Sequence, residues 1–308
     1  MTPPFPESTA LPPSTAPLNG VAPLPHLGLI RAIGEQAAPF LQGQLTQDVV
    51  LMPPGHASLA GYCDPKGRLL ASFIACKRSP QEFWLVCSRD LLAPMLKKLS
   101  LFVLRAKVRL SDASGELALR GLIGSATHSI AAGAEDFLAP LPGADGAPRA
   151  LWIGPVGSAP PPGPALPPEL WAWAEVRSGV ATVSAPVSQA FVPQMLNYES
   201  AGGISFKKGC YPGQEVVARS QFRGAIKRRA FVGQVAGAAQ AGQEVFSTAD
   251  PSQPVGLIAQ ATAAPEGGTA VIVSLQLAAA QADDLHAGAP DGSRLGKLHL
   301  PYPLLENI

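Results

Sequence analysis

A chain of 308 residues, 47% hydrophobic and 15% charged, is long and apolar enough for about two or three domains with cores of their own. A formal net charge of +1 withholds the basic footprint that a nucleic-acid-binding domain spreads over its surface. No run of about 18 apolar residues is present to span a membrane. The four cysteines (Cys63, Cys76, Cys87, Cys210) include no C-x-x-C pair, and the five histidines are scattered. That pattern argues against a structural zinc site and against a secreted disulfide framework. Reduced thiols in a cytoplasmic protein without a permanently bound metal are expected.

Residues 1–24 are rich in proline and small polar side chains, hold no basic residue and lack a signal-peptide core; they read as a disordered arm. Order is expected from near Pro25. GLIRAIG (28–34) reads as a strand, and EQAAPFLQGQL (35–45) as a helix whose stripe is Ala38, Leu41 and Leu45. Two apolar runs around DPKG make residues 57–77 a β-hairpin. EFWLVCS (82–88) is a strand, DLLAPMLKKLSLFVL (90–104) a helix, RAKVRL (105–110) a half-exposed strand and GELALRGLIG (115–124) another strand. Residues 139–168, rich in Pro, Gly and Ala, read as one long loop. ELWAWAEVRSG (169–179) is a helix closed by Gly179. Its Trp171 and Trp173, two apart, lie on different faces, and core packing is the favoured role for both over lining a ligand pocket. After Lys227-Arg228-Arg229, short strands with glycine-bearing turns indicate a small all-β domain over 227–308. The larger part, 25–226, mixes helices and strands with no βαβ rhythm and reads as α+β.

The segment FKKGCYPGQEVVAR (206–219) stands apart. With Pro212 as the first residue of a helix, Gln214 and Glu215 fall in its first turn and Cys210 lies beside its positive end. Lys207 and Lys208 add charge that favours a thiolate, the form that acts as nucleophile or metal ligand. Gly209 and Gly213 would let a ligand approach the backbone. Against this, Val216 and Val217 could continue as a strand, and free cysteines are often simply packed. On these features alone a reactive and a packed Cys210 are equally open. The basic residues Arg219, Arg223, Lys227, Arg228 and Arg229 could meet phosphates, but a solvated linker suits the near-neutral chain better.

VPQMLNYESAGGISFKKGCYPGQEVVARSQFRGAIKRR resembles the signature region of the folate-binding YgfZ family, relatives of the glycine-cleavage T-protein. The motif K-G-C-Y-x-G-Q-E is met by Lys208, Gly209, Cys210, Tyr211, Gly213, Gln214 and Glu215. FLQGQLTQDV (40–49) and YCDPKGRLLASF (62–73) resemble the family's first domain, and LPY (300–302) its C-terminal barrel. The resemblance implies a T-protein-like ring, an α+β folate-binding region of two intertwined subdomains plus a β-barrel. It also implies tetrahydrofolate, or a one-carbon derivative, in the central opening, and a role in assembling or repairing iron–sulfur clusters, notably in radical enzymes that thiomethylate tRNA. Cys210 would then be the functional residue, Lys208 would keep it ionised, and Trp171 would help to hold folate. Leu27 stands where some members carry a second folate-site tryptophan. The partners implied are folate and iron–sulfur client enzymes, with no membrane and no direct tRNA contact.

A folate-dependent aminomethyl or one-carbon transferase is the alternative. It would need a carboxylate near the folate nitrogen. The strand after the first-domain turn, KGRLLASFIA, offers none, and Arg177 of VRSGV stands where T-proteins carry the glutamate of L-E-A-G. The T-protein reaction is therefore not expected.

Overall fold

The computed structural model describes residues 18–128, 135–223 and 226–305. Its first part runs β1 (Gly20–Pro23), β2 (Leu27–Ile33), α1 (Ala37–Gln42), β3 (His56–Cys63), β4 (Leu69–Ser79), β5 (Glu82–Ser88), α2 (Arg89–Ser100) and β6 (Arg109–Asp112). Then follow β7 (Leu117–Ile123), β8 (Phe137–Ala144), β9 (Ala147–Pro155), α3 (Pro168–Arg177) and α4 (Gln214–Phe222). The chain ends in β10 (Arg228–Val235), β11 (Glu244–Ser247), β12 (Gly256–Ala263), β13 (Thr269–Gln276), β14 (Leu285–Ala287) and β15 (Ser293–His299).

Three sheets result: β3-β4-β5-β2-β6, β1-β7-β9-β8, and a closed barrel β10-β13-β12-β11-β14-β15. Every pairing between these strands is antiparallel. The β3–β4 hairpin turns on DPKG: the Asp64 carboxylate accepts the N–H of Lys66 and of Arg68, each at 2.9 Å, and Gly67 sits at φ +73°.

Helix α3 carries apolar side chains on opposite sides and so joins two cores. Trp171 and Ala174 enter the core between the first two sheets, with Leu29, Trp84, Phe137 and Leu151. Trp173 and Val176 enter a larger core that reaches from Phe73 and Leu85 across to Ala230, Val232 and Ile272 of the barrel. Gly179, at φ +71°, ends the helix in the left-handed conformation, and a Cβ there would lie 2.1 Å from Pro301. The tail thus packs on the helix end, with Tyr302 fully buried beside it.

Several expectations are corrected. Residues 139–168 are not one loop: β8 and β9 form a hairpin, its turn made by Asp145 (φ +49°) and Gly146 (φ +81°). Pro140 and Pro142 disguised it, yet they lie on β8, the edge strand, where a missing N–H is tolerated. The strand expected over 105–110 begins instead at Arg109, because α2 stops at Ser100 and turns follow through Arg105, with Leu104 at φ +43°. Helix α1 is one and a half turns rather than the whole of 35–45, and β1 shows ordered structure ahead of Pro25. Residues 1–17 of the expected arm lie outside the described residues.

Gly121 on β7 has the Trp171 indole directly above it, 2.5 Å from where a Cβ would stand. Gly121→Ala is expected to cost about 1–3 kcal/mol by overpacking. Urea denaturation checks this through a lower midpoint at an unchanged slope.

Candidate functional site

The cysteine loop is held against the first sheet by backbone and side-chain anchors. The Ser205 N–H donates to Thr46 O at 2.9 Å, and the Thr46 hydroxyl donates to Gly203 O at 2.6 Å while accepting the Gly61 N–H at 2.7 Å. Lys208 is buried, and its ammonium donates to Gln42 O (2.6 Å), Leu45 O (2.9 Å) and Gly209 O (3.3 Å). It also lies 4.6 Å from the centre of the Tyr211 ring. Burial brings its pKa down to about 8, against the charges of Asp48 and Cys210. Lys208 therefore works first as a clip between the loop and the end of α1, with its N–H donors spent on carbonyls.

Gly213, at φ +78°, lies on the DPKG turn; a Cβ there would stand 2.4 Å from Asp64 O and 2.6 Å from Gly67 Cα, so only glycine fits. A Cβ on Gly209 would meet nothing within 4 Å, which leaves clear space beside Cys210. Helix α4 starts at Gln214, not at Pro212, because Gly213 takes the left-handed cap. Val216 and Val217 are helical, which removes the strand alternative. Cys210 is thus set back from the helix end, outside the first turn over which the dipole acts. Glu215 is exposed and pairs with Arg219 at 2.6 Å, one helical turn on.

Cys210 is exposed, and Cys63, Cys76 and Cys87 are buried. Burial, with neighbouring carboxylates adding, pushes the Cys63 and Cys87 thiols up to about 12; burial raises Cys76 as well. A water-soluble thiol reagent at pH 8 is therefore expected to label one cysteine in the folded protein and all four in urea. Peptide mass spectrometry checks that the first is Cys210.

A second feature is a narrow cleft where the first sheet meets the β8–β9 hairpin and the end of α3. Leu27, Phe73, Val86 and Leu141 give it apolar walls; Arg149 and Glu175 are its charged lining. Arg149, on the interior strand β9, is 5% exposed; it donates to Pro142 O at 3.3 Å, and its Nε has no partner. Its guanidinium lies 4.4 Å from the Trp171 ring. Burial lowers its pKa to about 10, partly offset by Glu175.

The buried Glu175 accepts from Nε2 of His26 at 3.1 Å. Burial pulls the His26 imidazole down, but the hydrogen bond and charge of Glu175 outweigh it and leave the pKa raised. Apolar walls, a carboxylate and a buried cation with unspent donors fit a flat heteroaromatic ring such as that of folate.

Trp171 is fully buried and lies behind Arg149 rather than in the cleft lining, whereas Leu27 does line it. Arg177 points elsewhere: its Nε and Nη2 donate to the two Asp145 carboxylate oxygens at 2.8 and 2.6 Å, clamping the hairpin tip to α3. No residue of 206–219 lines the cleft, so loop and cleft are two separate features. The sequence reading passed over Arg149, Glu175 and His26; the one local signal was a charged residue inside the apolar run WAWAEV.

The last two residues of the basic stretch are committed within the fold. Arg229 is buried in an ion pair with Glu199, and Arg228 donates to Val255 O at 3.1 Å. Among the described residues no cluster of His, Cys, Asp and Glu could hold a metal ion, and no helix is long and apolar enough to cross a membrane.

No protein-family model matches the chain. The fold is similar to the glycine cleavage system aminomethyltransferase T of Bartonella henselae, with a TM-score of 0.67 over 93% of this chain and 87% of that one, at 14% identity. An uncharacterised protein of Haemophilus influenzae is 32% identical over 211 residues, 66% of this chain and 69% of that protein. The tRNA-modifying protein YgfZ of Enterobacter sp. is 29% identical over 329 aligned positions, 98% of this chain and 99% of that protein. The tRNA-modifying protein YgfZ of Photorhabdus laumondii is 30% identical over 247 residues, 73% of each chain. With that identity over that share of both chains, on a T-protein fold, the chain belongs to the YgfZ family.

Proposed function

We propose that the protein binds tetrahydrofolate, or a one-carbon derivative of it, in the cleft. We further propose that it uses Cys210 to support the assembly or repair of iron–sulfur clusters in radical enzymes that thiomethylate tRNA. The observation that carries the reading is the placement of Cys210: exposed, on a loop pinned by Lys208 and Gly213, with open space beside Gly209. A thiol so presented meets a partner protein's surface rather than a small molecule in the cleft. One thiolate does not hold a cubane cluster, which normally takes four, so the remaining ligands come from the client or another thiol. Relatives named tRNA-modifying proteins support the tRNA link. The internal commitments of Arg228 and Arg229 favour a route through a client enzyme over direct tRNA contact. The setting is the cytoplasm, where free thiols stay reduced.

Folate-dependent one-carbon transfer is a second reading, favoured by one observation: Glu175 brings a carboxylate to the cleft. Product from tetrahydrofolate and a donor amine, lost in Glu175→Gln, would carry it.

The main test measures tetrahydrofolate binding to the purified protein by calorimetry, and thiomethylated tRNA nucleosides by mass spectrometry in cells lacking the protein. Saturable binding and a deficit restored by the wild-type chain are expected. An undiminished nucleoside level in the deleted cells would overturn the cluster reading, and absent binding the folate reading.

A further inference from the structure

We propose that Arg149 and Glu175 read the hydrogen-bonding edge of a neutral amino-oxo-pyrimidine ring, the pterin end of the ligand, and that His26 positions Glu175 for it. This rests on the folate reading above and assigns its specificity to named atoms.

A guanidinium offers five N–H donors. Arg149 spends one of them on a carbonyl, at 3.3 Å, while only 5% exposed, and its Nε stays unmet. The face it turns to Trp171 is satisfied by the ring. The Nε is closed off from the cleft, so any donor that Arg149 offers a ligand there comes from its two terminal nitrogens, and Arg149 is part of the cleft lining. Glu175 lines the same cleft, and its carboxylate can accept about four hydrogen bonds. Both of its oxygens lie near His26 Nε2, at 3.1 and 3.3 Å, which fixes the carboxylate and leaves acceptor capacity over.

The pair selects the ligand by charge. A ligand carboxylate placed here would gain Arg149 but face Glu175, and a ligand cation would meet the reverse. A neutral ring presenting a carbonyl beside N–H and NH2 donors satisfies both at once: its oxygen takes the Arg149 donors, and its N–H groups meet Glu175. The apolar walls at Leu27, Phe73, Val86 and Leu141 then cover the ring faces. The anionic tail of a folate is left to the open side, where water solvates it.

The test is calorimetric, on the full chain, with tetrahydrofolate, 6-methyltetrahydropterin, its analogue lacking the 2-amino group, and p-aminobenzoylglutamate. Wild type is expected to bind the tetrahydropterin, and to bind the deaminated analogue about tenfold or more weakly, a comparison that needs no variant. Glu175→Gln and Arg149→Lys are each expected to weaken tetrahydrofolate and tetrahydropterin by a similar factor while leaving p-aminobenzoylglutamate unchanged, with circular dichroism confirming the fold. Unchanged tetrahydropterin affinity in both folded variants would overturn the assignment and leave folate binding standing. Losses confined to p-aminobenzoylglutamate would also overturn it, placing the acidic tail at Arg149. Wild type binding none of the four probes would overturn the folate reading and this inference with it.

Discussion

Cys210→Ser is expected to bring the thiomethylated tRNA nucleosides of complemented cells down to the level of cells lacking the protein, with tetrahydrofolate affinity unchanged. The separation follows from geometry. Cys210 is exposed on a loop that contributes nothing to the cleft lining, so its sulfur is absent from every contact that would hold a folate. The loop does not depend on the thiol either, being held by Lys208 on three carbonyls and by Gly213 against the DPKG turn. A serine at an exposed position changes stability by about 0.5 kcal/mol or less, so a folded, ligand-binding but inactive protein is the expected product. Calorimetry and nucleoside mass spectrometry on the same variant read the two halves. Full restoration by the serine form would remove Cys210 from the chemistry and move the whole function into the cleft.

What could be read beforehand followed how local its cause was. The DPKG hairpin is specified by residues adjacent in the chain: Asp64 caps its own turn, and Gly67 takes the positive φ. The barrel strands carry their apolar runs and glycine turns in sequence, and the cysteine motif is contiguous. Where the reading failed, the decisive partner was distant or the local signal was masked. The Asp145–Gly146 turn has the residue types of a two-residue hairpin, but the prolines of β8 hid it until the sheet order showed that strand at the edge. Likewise, the start of α4 at Gln214 rests on Gly213 packing against Asp64 and Gly67, far back in the chain. Arg149 and Glu175 meet only because β9 and α3 close on one cleft, and no spacing in the sequence records that. Arg177 could be seen to replace a glutamate, but its clamp on Asp145 depended on a hairpin tip not foreseen.

Arg229→Met is expected to destabilise the fold by about 3–5 kcal/mol, the largest stability effect among the substitutions considered, because it strands a buried charge. Glu199 has its side chain fully buried, with one oxygen paired to Arg229 and accepting from Ser200 Oγ at 3.0 Å. Its other oxygen has no partner, so no second cation is in place to take over when Arg229 goes. The pair also ties two parts of the chain together. Arg229 is the second residue of β10 of the barrel and donates to Gln194 O at 3.3 Å, while beside it the Asn197 amide donates to Ala230 O at 2.8 Å. Loss of Arg229 should therefore loosen the barrel from the segment that leads into the cysteine loop. Removing both charges, as Arg229→Met with Glu199→Leu, is expected to recover most of the loss, since the stranded carboxylate is the main cost. Urea denaturation of the single and double variants decides this. The same proteins also decide the role of the Lys227-Arg228-Arg229 stretch. A single variant as stable as wild type that loses salt-dependent retention of tRNA would make Arg229 a phosphate contact; loss of stability that the second substitution repairs makes it part of the domain junction.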